Sequence, residues 1–157
     1  MSRFILVALM ILITPLTALA QGRPTAEEVR KVINFFYEGE HGAVLIDVKI
    51  CRGVHDDGEM KHECKDDITR ETIQVDEEVL VWMNFFAPLN KKQNILIQFN
   101  KNGVTRDTKE LAITGATRYR SWLKFKPSSA GRWEVKIYYD GESGAEVLSA
   151  LPVPVAK

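Results

Sequence analysis

The apolar positions of this chain follow three rhythms in turn. The first is a solid block. Phe4 to Thr14 is almost unbrokenly apolar behind Arg3, Pro15 interrupts it, and Ala18-Leu19-Ala20 supplies small residues. A positive start, an apolar stretch about half as long as a bilayer-spanning helix and a small-residue cleavage position predict an export signal over residues 1–20. No cysteine stands at the expected cleavage position behind the apolar block, so the pattern does not fit the lipoprotein route.

The second rhythm is helical. Thr25 followed by Glu28 makes a capping box, Val29, Val32, Ile33 and Phe36 recur on one face, and Gly39 marks the end. Residues 21–42 are therefore expected to form a helical segment that lays its apolar stripe on the domain that follows. The third rhythm has period two and begins after Gly42. Val44, Ile46, Val48 and Ile50 are expected inward, alternating with Leu45, Asp47, Lys49 and Cys51. Arg52 to Asp67 is a charged excursion, and Thr72 to Val75 is a short β-like piece. Val79 to Ala87 is apolar at odd and even positions alike, the mark of a strand covered on both faces.

Gln93 to Asn100 alternates again, Asn102-Gly103 is a tight-hairpin dipeptide, and Val104 to Thr114 returns from it. Tyr119 to Phe125 follows. Arg132 to Asp140 then points Trp133, Val135, Ile137 and Tyr139 inward. Glu146 to Val155 closes the chain, with Pro152 and Pro154 marking an edge. Seven or eight short strands with turns between them, and no alternation of strand with helix, predict a mainly β fold. The expected architecture is an antiparallel immunoglobulin-like β-sandwich over residues 43–157 with one N-terminal α-helix.

The closing segment Gly131-Arg132-Trp133-Glu134-Val135, the upstream Arg118-Tyr119-Arg120-Ser121-Trp122 and the aromatic-rich run Trp82 to Phe86 together resemble an uncharacterised family of bacterial exported immunoglobulin-like domains of unknown function. The resemblance covers Val79 to Val155 and implies the sandwich fold. The family brings no assigned activity or functional residues.

Composition changes this picture in two places. Without the signal the chain is near neutral, which argues against nucleic acid as a partner, and no integral membrane span remains. The neutrality hides a split. Glu38 to Glu78 holds 13 acidic against 5 basic residues, a balance of −8, whereas Lys91 to Lys136 holds 11 basic against 3 acidic, a balance of +8. Such halves make a dipolar surface unless interleaved strands bring them together. Two cysteines lie beyond the signal, Cys51 and Cys64. In an oxidising compartment they predict one disulfide worth about 3 kcal/mol. Free or metal-binding thiols are the alternative, and the 12-residue gap without a CxxC unit matches no common zinc spacing.

Two constellations could carry chemistry. Within the bridged excursion, His55, Asp57 and His62 offer nitrogen and oxygen donors to Zn²⁺, Cu²⁺ or Ca²⁺, although the spacing is not that of an EF-hand. On the later strand, Arg118, Arg120, Trp122, Lys124 and Lys126 share one side at period two, an aromatic ring among four cations suited to an anionic ligand. Arg132, Lys136 and Tyr138 would extend that surface if their strand paired nearby. Asp107 and Glu110 are expected to spend their charges on Arg106 and Lys109.

No nucleophile elbow or phosphate-cradling loop occurs, and the bridge would leave no thiol. A non-catalytic binding or accessory module of the periplasm or exterior is the reading that results. It needs no cofactor, and its expected partner is an envelope protein or an anionic envelope polymer. A metal-binding module and a small hydrolase are the alternatives.

Overall fold

The period-two segments fold into two stacked sheets. The computed structural model describes residues 23–38, 42–89, 91–141 and 144–157, so the expected signal, His41 and the terminating Gly39 lie outside the described residues. The elements are α1 (Ala26–Glu38), β1 (Val44–Val54), β2 (Cys64–Asp67), β3 (Ile73–Gln74), β4 (Val79–Ala87), β5 (Gln93–Lys101), β6 (Val104–Ile113), β7 (Ala116–Phe125), β8 (Gly131–Gly141) and β9 (Gly144–Ala156). One sheet has the order β2-β1-β4-β7 and the other β3-β9-β8-β5-β6. The mainly β sandwich with a single helix is thus as expected. Seven strands have nine or more residues, and β2 and β3 are the short additions.

The core lies between the sheets. Ile50, Val81, Met83 and Phe85 from the first meet Ile95, Ile97, Phe99, Val135 and Ile137 from the second, all almost wholly buried. Asn102 and Gly103 both take positive φ, 50° and 80°, in the two-residue loop between Lys101 and Val104. This is the turn that Asn-Gly predicts. Gly115 stands where the chain leaves the second sheet for the first. A Cβ there would overlap the backbone of Leu89.

Several expectations are corrected. On β1, Leu45 pairs with Phe85 and Asp47 with Asn84, so Ile46 is an extra, bulged residue. The bulge reverses the alternation: Leu45 packs on the core, while Val44 and Ile46 stand outside it. The ladder between β3 and β9 is parallel, unlike all the others. Beyond Pro152 and Pro154, β9 is not the outermost strand, because β3 adds two residues at Val155 and Ala156. The charged excursion is itself a hairpin, in which β2 folds back on β1 with Val54 opposite Cys64.

The helix forms as its sequence dictates. The Glu28 N–H donates to Thr25 Oγ1 (3.2 Å), and the Thr25 N–H donates to Glu28 Oε2 (2.7 Å). These hydrogen bonds from the Thr25 N–H and hydroxyl hold the Glu28 carboxyl below its ordinary pKa. Its docking differs from expectation. Val29, Val32 and Ile33 remain exposed, and the helix meets the sandwich only at its C-terminal end. There Phe35 stacks on Phe86 (5.2 Å), Phe36 leans on the same ring (5.5 Å), and the Leu89 N–H donates to Phe36 O (2.7 Å).

Replacing Gly115 by Ala is expected to destabilise the domain by about 1–3 kcal/mol, read as a lower urea midpoint, whereas Gly53→Ala, with open space around it, should change the midpoint little.

Candidate functional site

The register of β4 sets which residues meet on the outer face of the first sheet. Val81, Met83 and Phe85 point into the core, so Leu80, Trp82, Asn84 and Phe86 point out. Across from them on β1 are Cys51, Lys49 and Asp47, and across on β7 are Lys124, Trp122 and Arg120. Trp82, although 98% buried with 2% exposed, therefore lies outside the central core.

The loop between β1 and β2 covers it. His55 N donates to Glu63 O (2.9 Å) and His62 N to His55 O (2.8 Å), closing the loop on itself. The Cys51–Cys64 disulfide, with Cα atoms 5.8 Å apart, pins its base to the sheet. The Trp82 indole N–H donates to His62 O (2.7 Å) and the His62 ring lies against Trp122 (5.6 Å). Glu63 Oε1 accepts from Arg118 Nη2 (2.7 Å) and sits 2.6 Å from Arg120 Nε. The Arg120 Nε–H is misaligned with that oxygen, so the buried nitrogen has a charge partner but no hydrogen bond.

The two constellations of the sequence thus turn out to be one structure, an acidic loop lying on a basic strand. Arg118 and Arg120 are paired with Glu63, Lys124 with Glu78 (2.7 Å), and Lys126 approaches Asp76 (4.0 Å). His55, Asp57 and His62 are not gathered. Among the described residues no three His, Cys, Asp or Glu side chains come together as metal ligands. Arg132, Lys136 and Tyr138 do not extend the basic face. β8 belongs to the other sheet, so these side chains stand on the opposite outer surface of the sandwich.

Contributions of similar size hold the loop. Burying a large apolar side chain contributes about 1.5–3 kcal/mol and the disulfide about 3 kcal/mol. Exposed ion pairs contribute about 1 kcal/mol or less. Glu63, however, is only 13% exposed and Arg120 21%, and a partly buried hydrogen bond to a charged group contributes about 1.5–3 kcal/mol. The Glu63 contacts are therefore of the same order as Trp82 and the sulfur link.

A second charged network braces the base of the hairpin. Arg52 reaches Asp66 (3.1 Å), Glu77 (3.2 Å) and Glu71 (3.4 Å), and its pKa is raised by the hydrogen bonds to Asp66 and Glu77. The Thr69 hydroxyl accepts from Ile50 N (2.9 Å) and donates to Asp67 Oδ1 (2.6 Å). Partial burial pushes the Asp67 carboxyl up, but the Thr69 hydroxyl and N–H, with Lys49, bring it below its ordinary value.

The open side of the sandwich, between the edges of β6 and β7, holds what the sequence did not point to. Phe99 and Phe125 stack at 4.9 Å, and Trp133 meets Phe125 edge-on at 5.4 Å. Over this floor is a cleft of 360 Å³ whose charged lining is Arg106, Lys109, Lys124, Lys126 and a single carboxylate, Asp107. Lys109 Nζ lies 5.8 Å above the Phe99 ring and donates to Lys124 O (3.2 Å), spanning the gap between the sheets. Phe125 and Trp133 are legible in the sequence as core residues. Their role as a floor depends on two strands of different sheets meeting at an edge. No serine shares a hydrogen bond with a histidine among the described residues.

No family model matches the chain, and no curated protein sequence matches it. Solved structures resemble it in fold. The C-terminal domain of wzt superposes with a TM-score of 0.50 at 10% identity, covering 75% of each chain. A Niemann-Pick type C2 protein from Japanese carpenter ant gives 0.47 at 11% identity over 74% of this chain and 94% of the other. The CARDB domain of a Pyrococcus furiosus protein, solved with di-metal ions, gives 0.39 at 12% identity over 80% and 97%. At these identities a likeness speaks for the fold alone; of the three, the first reaches a TM-score of 0.50, and it fits the two-sheet β-sandwich described above.

Two outcomes follow from the bridged loop. Replacing both Cys51 and Cys64 by Ser should cost about 3 kcal/mol in urea unfolding, and Glu63→Gln, which removes the charge partner of the half-buried Arg120, about 1.5–3 kcal/mol. Because the Asp67 pKa is lowered on folding, its contribution is present above the unfolded value of about 3.9 and lost as pH falls through the folded value. Unfolding free energy should therefore fall less steeply in acid for Asp67→Asn than for the wild type.

Proposed function

We propose that this chain is an exported, non-catalytic binding module of the bacterial cell envelope that recognises an anionic polymer. Export rests on the signal pattern of residues 1–20 and on a disulfide of the kind that persists in oxidising compartments. The observation that carries the binding reading is the cleft between β6 and β7, lined by four cations and Asp107, of which Lys124 and Lys126 are also met from outside by Glu78 and Asp76 in exposed, screened pairs. Of the basic strand's residues, Lys124 and Lys126 line this cleft, whereas Arg118, Arg120 and Trp122 are engaged by the bridged loop. The contact surface is therefore the edge of β7 together with Arg106 and Lys109 of β6, rather than the face of β7 as a whole.

The chemistry suits repeated negative groups better than a single small ion. The cations rim an opening and do not close over it, so each supplies a screened, additive attraction to a charged chain lying along the edge. Lys101 Nζ, 5.9 Å from the Trp133 ring, adds a further positive group beside the floor.

The protein without residues 1–20 should be retained on immobilised polygalacturonate in about 0.05 M NaCl and released by about 0.5 M NaCl. The double variant Lys124→Glu/Lys126→Glu should bind at least about tenfold more weakly, and Arg132→Glu, on the opposite surface, should bind as the wild type does. Equal weakening in both variants, or no salt-sensitive retention of the wild type on this polymer or on polyphosphate, would discard the cleft.

A further inference from the structure

The two sheets end in four edge strands, β2, β7, β3 and β6. Three of them are poorly suited to recruiting another strand. β2 has four residues and β3 two. β7 carries Arg118, Arg120 and Lys124 with no acidic residue, so a second copy laid against it would set cation against cation. β6 is different. It has ten residues, Val-Thr-Arg-Asp-Thr-Lys-Glu-Leu-Ala-Ile, without proline or glycine, and it is exposed along most of its length. Long exposed edges are sites of strand addition unless something blocks them.

The charges of β6 do not block a second copy of the same strand. Antiparallel pairing about Thr108 puts Asp107 opposite Lys109, a combination that occurs twice, while Arg106 stands at the bulge outside the ladder. Moving the register by one residue destroys the match, setting Asp107 against Glu110, and a shift of two sets Lys109 against Lys109. Within the chain Lys109 Nζ is held by Lys124 O and over the Phe99 ring, while Arg106, Asp107 and Glu110 have no ion pair among the described residues. The ion pairs expected between Arg106 or Lys109 and Asp107 or Glu110 do not form among the described residues. Lys109 and Glu110 point to opposite faces and are poorly placed to meet in cis, whereas Asp107 and Lys109 share a face and stand opposite each other across a two-fold axis.

We propose that β6 is a self-association edge, on which a second copy of this chain adds its own β6 antiparallel about Thr108 and joins two five-stranded sheets into one of ten. The interface is isologous and uses up the edge in both copies, so association stops at the dimer. A bulge limits its strength. Phe99 pairs with Asp107 and Asn100 with Thr105, which makes Arg106 an extra residue and leaves Asp107–Ile113 as the regular stretch. The dimer is accordingly weak, concentration-dependent and sensitive to salt.

Sedimentation equilibrium without any anionic ligand, from about 10 μM to 1 mM, tests this independently of the polymer reading. The wild type should pass from monomer to dimer over that range. Lys109→Asp, which sets carboxylate against carboxylate, should weaken the dimer at least about tenfold, and the exchange variant Asp107→Lys/Lys109→Asp should restore it. Should Lys109→Asp lose the wild-type circular dichroism spectrum, Asp107→Lys, which sets ammonium against ammonium, takes its place against the same exchange variant with the same expectations. A wild type that stays monomeric, a single variant that dimerises as the wild type does, or an exchange variant that fails to recover would each overturn the proposal.

Discussion

Val79–Ala87 is apolar on both faces, and a sheet built around such a strand has to be covered twice. The second sheet covers one face and forms the core. The outer face is too small for a third layer and is closed piecemeal. The bridged loop closes over Trp82, and the end of α1 closes over Phe86. Cys51 sits on that same outer face in the next strand, opposite Leu80, so the disulfide fixes the loop at the place where the apolar row needs its lid. The helix contributes only its C-terminal aromatics to this task, which is why the rest of its apolar stripe remains outside.

The same cover decides the electrostatics. The acidic and basic halves of the chain are brought together where the loop and the 76–78 segment meet β7, through Glu63, Glu78 and Asp76. This contact removes Arg118 and Arg120 from any external role. It leaves Arg106 and Lys109 without ion pairs among the described residues at the seam between the sheets, where β6 and β7 are both edges, beside Lys124 and Lys126, which Glu78 and Asp76 partly neutralise. At the seam the aromatic core comes close to a cationic rim, and the proposed ligand site and the proposed self-association edge both belong to it.

Much of the fold was legible because its signals are local. Period-two alternation, the Asn102-Gly103 turn and the Thr25–Glu28 cap depend on neighbours a few residues apart, and each appears where the pattern places it. What failed to show was non-local. Nothing in the run from Val44 to Ile50 announces that Ile46 is bulged, since the extra residue exists only relative to β4. The basic row of β7 was visible, but not its occupation by a loop more than fifty residues upstream (Arg118 and Glu63 are 55 positions apart). The assignment of β8 to the opposite sheet, which separates Arg132 and Lys136 from that row, follows from topology alone. For the same reason the Phe99–Phe125–Trp133 floor could be seen as core but not as part of a cleft.

The claim on which the rest depends is that a sulfur-pinned loop seals the outer face of β4, and hydrogen exchange of the indole N–H groups followed by NMR measures it directly. Trp82 and Trp133 donate to backbone carbonyls, whereas no such acceptor is found for Trp122 among the described residues. The account predicts slow exchange at Trp82 and Trp133 and fast exchange at Trp122. After mild reduction of Cys51–Cys64 it predicts loss of protection at Trp82 alone. Fast exchange at Trp82 in the oxidised protein, or protection there that survives reduction unchanged, would contradict it.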